Sequence, residues 1–396
     1  MTAVEGSISL NAGSGWRQNW YGGHGDLDVT GLDAGQSVSL NANQGSLTAN
    51  SVTAMDGYIS ASSTLGATLR GASATNSVYL TAAEGALEAE RVSSGGNLSL
   101  TASKGGILAE NLAAVGNLTL TGSTGFIHAD KLTSIDGSVT ITGGNEWSGG
   151  TASIDASNIK AKQSVTMTTY EGNLTAKAVT AVEGSISLNA GSGWRQNWYG
   201  GHGDLDVTGL DAGQSVSLNA NQGSLTANSV TAMDGYISAS STLGATLRGA
   251  SATNSVYLTV VQGDLMTEDV ETKTNINWST PLADFVLAEV ASSIRLSTTQ
   301  GDIRAVRVTS GGDLTLEAGT AWTGSPGNIS GTTLQARRDI TATTYRSFHN
   351  LGYIRSRRCS LILQRWKNDL TSDGCFPILR IAREVVRRSS SLLVAL

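Results

Sequence analysis

The sequence is poor in cysteine, proline, aromatic residues and long apolar runs, and each scarcity excludes something. Only two cysteines and three prolines occur in 396 residues. Both cysteines, Cys359 and Cys375, lie near the C-terminal end, so disulfides cannot hold the rest of the chain together. No apolar run approaches the length of a membrane span, and we find no signal peptide. The low aromatic content, 5%, suits a narrow core lined by Leu, Ile, Val and Ala.

Charge is divided unevenly along the chain, whose net charge is −6. Residues 346–396 hold nine Arg and one Lys against three acidic residues, about +7, which leaves about −13 for residues 1–345. A region this acidic is a poor partner for nucleic acid. We therefore expect no nucleic-acid partner.

What the sequence has in abundance is a repeating pattern with a step of about twenty residues, a period typical of solenoids. Apolar residues recur at matching points of successive repeats. The points in three consecutive repeats are Leu87, Val92, Leu98 and Leu100; Ile107, Leu112, Leu118 and Leu120; and Ile127, Leu132, Val139 and Ile141.

Each apolar point lies in a short run that alternates with Ser, Thr or Asn, as in residues 97–101 and 138–142. Such alternation predicts half-buried strands, and the Gly and Asn residues between the runs supply corners. Each repeat holds three runs, for example around Leu98, Leu108 and Leu112. Because one turn cannot bury its own inward residues, successive turns must stack about 4.8 Å apart. We expect an all-β parallel β-helix of some 15 to 17 turns, roughly 75 Å long.

The chain contains a large internal duplication. Residues 2–81 recur without change at 180–259. Eighty identical residues exceed what a β-helix requires, so recent duplication of the coding DNA is the simpler cause. We divide the chain into repeat unit 1 (1–179), repeat unit 2 (180–345), each of about nine turns, and a basic tail (346–396). Met1 lies in mid-pattern, and we expect the chain to be part of a longer one.

The pattern ends abruptly after Tyr345, where Arg, Cys, Phe and Leu replace the repeat composition. We interpret residues 346–396 as an irregular tail that is out of frame, recombined or disordered. The alternative is a short basic effector or membrane-seeking segment. Gly-rich loops that contain a tryptophan interrupt the pattern at residues 143–150 and 319–327. A further interruption falls at residues 272–291, where we expect an irregular loop or a bulged turn.

The Gly-x-Leu-x-Leu-x-Ala strands, the Ser/Thr-rich faces and the twenty-residue step resemble the filamentous haemagglutinin family. These are exoproteins of bacterial two-partner secretion. The resemblance covers about 345 residues and implies a right-handed β-helix, export through an outer-membrane transporter, a place at the cell surface, and adhesion to receptors or glycans of host cells or other bacteria. Related exoproteins carry contact-dependent toxins on a similar shaft, so a toxin-delivery shaft is the first alternative.

The best candidate contact site is an aromatic insertion in each unit. It comprises Trp16, Arg17, Trp20 and Tyr21, repeated as Trp194, Arg195, Trp198 and Tyr199. Aromatic faces beside a guanidinium suit stacking on sugars or protein surfaces. The alternative is that the indoles fold over the flank of the rod and only cover the insertion.

The remaining candidate residues, which are acidic residues, histidines and a calcium-like motif, do not point to an enzyme. Glu88, Glu90, Glu110 and Asp130 recur on what should be an outer face, where a solvated acidic stripe is favoured over the clustered carboxylates of a polysaccharide lyase or hydrolase. The histidines (His24, His128, His202 and His349) lack metal-ligand spacing. Residues 22–29 resemble a calcium-binding nonapeptide but place Leu27 where a ligand should be. We expect no catalytic residues, no metal and no cofactor, with a β-helical carbohydrate enzyme as the second alternative.

Overall fold

The computed structural model describes residues 1–13, 23–145, 150–193, 201–272, 292–319, 327–356, 358–363 and 378–379. These residues form strands joined by tight corners, and they contain no helix. In chain order the strands are β1 Thr2–Ala3, β2 Ile8–Ala12, β3 Leu27–Ala34, β4 Val38–Ala42, β5 Ser46–Ala54, β6 Ile59–Ser63, β7 Gly66–Ala74, β8 Val78–Ala82, β9 Leu87–Ser94, β10 Leu98–Ala102, β11 Ile107–Ala114, β12 Leu118–Gly122, β13 Gly125–Ser134, β14 Val139–Gly143, β15 Ala152–Ala161, β16 Val165–Thr169, β17 Leu174–Ala181, β18 Ile186–Ala190, β19 Leu205–Ala212, β20 Val216–Ala220, β21 Ser224–Ala232, β22 Ile237–Ser241, β23 Gly244–Ala252, β24 Val256–Gln262, β25 Leu265–Thr272, β26 Ser293–Gln300, β27 Ile303–Ser310, β28 Asp313–Ala318, β29 Asn328–Ala336, β30 Asp339–Thr344, β31 Ser347–Arg355, β32 Arg358–Leu363 and β33 Ile378–Leu379.

The strands form two open parallel sheets that run the length of the molecule. The odd-numbered strands β1 to β31 make one sixteen-stranded sheet, here called the long-strand sheet. The even-numbered strands β2 to β32, with β33 beside β32, make the short-strand sheet. Each strand pairs with the strand two places on in the chain, so the chain alternates between the sheets and advances by one strand per turn. Sixteen stacked strands span about 70 Å at the usual separation. The prediction of a parallel β-helix is confirmed.

The core is a continuous file of aliphatic side chains between the two sheets. Leu98 pairs with Leu118, and Leu118 pairs with Val139. All three are fully buried. The same alternation that puts these residues inward puts Ser99, Thr119 and Thr140 outward. Because no single turn encloses its own apolar residues, the burial of each depends on the turn above and the turn below.

A column of residues in the left-handed backbone conformation bends the long strands. Asn111 in β11 has φ of 53° and Arg91 in β9 also 53°. Both are passed over in the pairing between the two strands, which resumes with Leu112 opposite Val92. The bend divides thirteen of the sixteen long strands into two runs, so the turn has three faces there, as the sequence predicts. The full column is Gly31, Ser51, Gly71, Arg91, Asn111, Lys131, Asn158, Ala178, Gly209, Ser229, Gly249, Asp269 and Arg307.

A second column, here called the corner ladder, satisfies backbone groups at the corners before the short strands β10 to β22. The N–H of Asn117 donates to Oδ1 of Asn97 at 2.8 Å, and the N–H of Ser138 donates to Oδ1 of Asn117 at 2.9 Å. Each side chain thus replaces a carbonyl that the turning backbone cannot supply. The ladder runs through Ser77, Asn97, Asn117, Ser138, Ser164, Ser185 and Ser215, and ends at the N–H of Tyr236.

The repeat unit contains eight turns, rather than the nine that its length predicts. Eight strands separate β4 from β20, which have the same sequence. The difference arises because insertions lengthen some turns. One turn, from Ile8 to its partner Val38, takes thirty residues, and another, from Val139 to its partner Val165, takes twenty-six.

Both sheets continue beyond Tyr345, where the sequence predicts that the pattern stops. Strand β31 pairs with β29, and β32 pairs with β30, all in parallel. Phe348 and Ile354 fill the inward positions next to Ile329 and Leu334 and are buried. The coil therefore extends to residue 363, because apolar residues still reach the inward positions although the surrounding composition has changed.

Candidate contact surface

The aromatic insertions lie outside the described residues, and so do all eight of their candidate contact residues. Their stems are described and are held in the same way in both units. The Nδ2 of Asn43 donates to the carbonyl of Gly13 at 3.0 Å, and the Nδ2 of Asn221 donates to that of Gly191 at 2.8 Å. The rod therefore fixes where each insertion leaves the coil.

The stem of each insertion requires glycine. Gly13 and Gly191 have φ of 74° and 71°. A Cβ on Gly13 would lie 2.3 Å from the carbonyl oxygen of Gly23, so both the dihedral angle and the space exclude a side chain.

The long-strand sheet carries charges on its outer face, as the sequence predicts for the acidic residues. Glu90, Glu110 and Asp130 pair in register on three consecutive strands. Arg70, one strand before Glu90, contacts Glu88 at 2.5 Å and Glu90 at 3.5 Å. Its duplicate, Arg248, contacts Glu268 at 3.6 Å. The face is a network of opposite charges along neighbouring strands.

Asp130 is the carboxylate in this file whose ionised form is most clearly stabilised. It accepts hydrogen bonds from Oγ of Ser157 at 2.6 Å and from Nδ2 of Asn158 at 2.8 Å. These two bonds hold the pKa of Asp130 below its usual value. At neutral pH Asp130 is thus a charged acceptor and has no proton to donate as a general acid.

The histidines are dispersed among local contacts. Nδ1 of His128 lies 3.4 Å from Asp155, and its ring stacks on Phe126 with centroids 6.4 Å apart. Nδ1 of His24 lies 3.3 Å from the carbonyl of Gln44. Within the described residues, no three His, Cys, Asp or Glu side chains are grouped so that they could hold a metal ion. The same part of the chain has no helix long and apolar enough to cross a membrane.

Most of the short-strand sheet lacks the charged residues that the long-strand sheet carries. Its first twelve strands, β2 to β24, contain no charged residue. Among the long strands from β3 to β27, all except β5 and β21 contain at least one. The outward side chains from β10 to β22 are all Ser, Thr or Asn: Ser99, Thr101, Thr119, Thr121, Thr140, Thr142, Thr166, Thr168, Ser187, Asn189, Ser217, Asn219, Ser238 and Ser240. We call the outer surface of β2 to β24 the neutral face.

Two pairs of exposed tyrosines border the hydroxyl-rich part of the neutral face. Tyr79 on β8 is 44% exposed, and Tyr58, just before β6, is 46% exposed. Ile59 pairs with Val78, so Tyr58 and Tyr79 are diagonal neighbours on adjacent strands. The duplicates Tyr236 and Tyr257 are 46% and 42% exposed. Sequence reasoning missed this surface, although the absence of charge from every second run was a readable signal.

No family model matches the chain, and neither a curated protein nor a solved structure does.

Proposed function

We propose that the chain is part of the shaft of a secreted, surface-exposed bacterial adhesin of the filamentous haemagglutinin type. The observation that carries the proposal is the unbroken parallel pairing of sixteen strands in the long-strand sheet. A rod of about 70 Å holds surfaces away from the cell that bears it and presents them repeatedly along one axis. Full-length protein of this kind would leave the cell through an outer-membrane two-partner transporter.

Duplication supports a multivalent mechanism. Both copies of the insertion stem are held by the same asparagine contact, at Asn43 and at Asn221. Two identical sites on one stiff body raise the apparent affinity for a cell surface, because the second contact forms at a high effective concentration. The aromatic insertions, including Trp16 and Trp194, are the proposed contacts with receptors or glycans.

The test compares the two-copy chain with a one-copy chain. Deletion of residues 78–255 joins Ser77 to Val256, at a point where the flanking sequences 46–77 and 224–255 are identical. The fluorescently labelled two-copy chain should bind epithelial or bacterial cells saturably, and the one-copy chain should bind roughly ten to a hundred times more weakly. Trp16→Ala with Trp194→Ala should also reduce cell binding while circular dichroism stays β-rich. If the two-copy chain binds no cell type tested, the adhesin proposal fails.

A further inference from the structure

The neutral face has a composition that the fold does not require. Both sheets of the β-helix have outward positions that water can reach, and the long-strand sheet fills many of its own with charges. The neutral face excludes charge over twelve successive strands, about 53 Å of rod. Charged side chains would serve solubility there equally well, so their absence points to a requirement of the surface itself.

The chemistry of the neutral face suits a polyhydroxyl ligand. Hydroxyl and amide side chains both donate and accept hydrogen bonds, as sugar hydroxyls do. The side chains from β10 to β22 are only partly exposed and short, which leaves a shallow surface. Tyr58 and Tyr79 add two exposed aromatic side chains, whose Cα atoms are about 8 Å apart by strand geometry. Exposed aromatic rings provide apolar faces against which a sugar ring can stack.

The same face disfavours charged polymers. Sulfate or carboxylate groups would meet no cation on the strands of the neutral face. The two lysines at its nearest corners are already paired, Lys104 with Glu84 at 3.1 Å and Lys162 with Asp136 at 3.0 Å. A charged ligand would lose hydration without gaining an ion pair.

The tyrosine pairs also set the size of the ligand. Tyr58 and Tyr79 are separated from Tyr236 and Tyr257 by eight strands, about 38 Å. An oligosaccharide of a few units can occupy one pair only. A polymer lying along the rod can occupy both pairs and contact the hydroxyl side chains between them.

We propose that the neutral face is a binding site for a neutral polysaccharide, which stacks on the Tyr58/Tyr79 and Tyr236/Tyr257 pairs and lies along the rod between them. The residues of this site are not those of the aromatic insertions. The inference rests on the proposed adhesive function, since it names the class of surface molecule that the rod holds.

The experiment measures binding of the full chain to laminarin, mannan, amylose and chitohexaose by biolayer interferometry, with heparin and polygalacturonate as charged probes. At least one neutral glycan should bind, and the charged probes should not. Replacing all four tyrosines by serine should weaken binding at least about tenfold, as expected for the loss of aromatic anchors. Phe126→Ser is the matched control, because Phe126 is 50% exposed but lies on the long-strand sheet; it should leave binding unchanged.

A second pair of variants separates ring stacking from folding and from valency. The four Tyr→Phe substitutions keep the rings and should keep binding within about threefold. Tyr236→Ser with Tyr257→Ser should halve the number of hexasaccharide sites at unchanged affinity, and should weaken polymer binding about tenfold or more through lost avidity. Circular dichroism checks that each variant stays β-rich.

Several outcomes would overturn the inference. One is that no neutral glycan binds; another is that heparin binds better than all of them; a third is that the four Tyr→Ser substitutions change nothing. Self-association that the Tyr→Ser variant abolishes in sedimentation experiments would assign the face to a second copy of the chain instead. If the wild-type chain binds cells but no neutral glycan, this inference fails while the adhesin proposal stands. If the wild-type chain binds no cells but binds a neutral glycan, the reverse holds.

Discussion

At the scale of single residues, the bend in most long strands requires one residue to adopt the left-handed backbone conformation. Thirteen long strands place one residue in the left-handed region, yet only four of these residues are glycine. Side chains with a Cβ crowd the following carbonyl in that conformation. Asn and Asp tolerate it better than most, and they occupy three of the thirteen positions. The others, Ser51, Ser229, Arg91, Lys131, Ala178 and Arg307, are held there by the pairing on both sides of the bend.

Ala178 offers a direct test, because its φ is 51° and its side chain is exposed. Ala178→Gly should raise the free energy of unfolding by about 0.5–1 kcal/mol, since relief of the roughly 1–2 kcal/mol left-handed strain exceeds the entropy that glycine loses on folding. Urea denaturation followed by circular dichroism measures the change.

The matched control is Ala113→Gly, an outward position of β11 outside the left-handed column. There glycine should lower the free energy of unfolding by about 0.5–1 kcal/mol, because no left-handed strain is relieved and glycine still loses more conformational entropy on folding than alanine does. Equal shifts of the same sign in both variants would contradict the strain argument.

At the scale of elements, the corner ladder shows how a short side chain can take the place of a backbone carbonyl. Asn117 has both roles: its N–H donates to Asn97, and its Oδ1 accepts from Ser138. Serine fills the same position in five turns of the ladder, at Ser77, Ser138, Ser164, Ser185 and Ser215. The position therefore requires a short acceptor rather than one particular residue.

Asn117→Ala should lower stability by about 0.5–1 kcal/mol, because the N–H of Ser138 loses its acceptor at a corner that water reaches. Asn117→Ser is the control and should cost less, since serine supplies an acceptor at the same position in neighbouring turns. Hydrogen exchange should show faster exchange of the Ser138 amide in the alanine variant alone. An unchanged exchange rate in the alanine variant would mean that water accepts the hydrogen bond of the Ser138 amide as well as Asn117 does.

The sequence predicts the elements better than it predicts the surfaces. Inward residues such as Leu98, Leu118 and Val139 are readable because apolar alternation has one physical cause, burial. The left-handed column is not readable at Arg91 or Lys131, because the surrounding pairing imposes the conformation on any residue. The neutral face appears only when strands twenty residues apart are set side by side. The sequence predicts an end of the coil that is too early, because the change of composition at Tyr345 conceals Phe348 and Ile354 at inward positions.

At the scale of the whole molecule, each turn contacts only its neighbours, so length and fold are independent. The one-copy chain that lacks residues 78–255 should fold, because β24 meets the same neighbour sequence in β6 that it meets in β22. Its maximum dimension in small-angle X-ray scattering should fall by about 38 Å, the height of eight strands.

Circular dichroism of the one-copy chain should keep its β signal per residue. A control deletion of 168 rather than 178 residues after Ser77 would join the corner before a short strand to Thr246, inside the long strand β23, and we expect it to aggregate or unfold. Equal folding of both deletions would contradict a register-dependent core.

The stretch of identical sequence that the two units share, residues 2–81 and 180–259, has a genetic consequence. Eighty residues of perfect identity give two alleles a long tract in which to misalign, and an exchange there adds or removes one whole block of eight turns. Every product of such an exchange keeps its phase, so a lineage can lengthen or shorten the reach of the protein in fixed increments without passing through a misfolded intermediate.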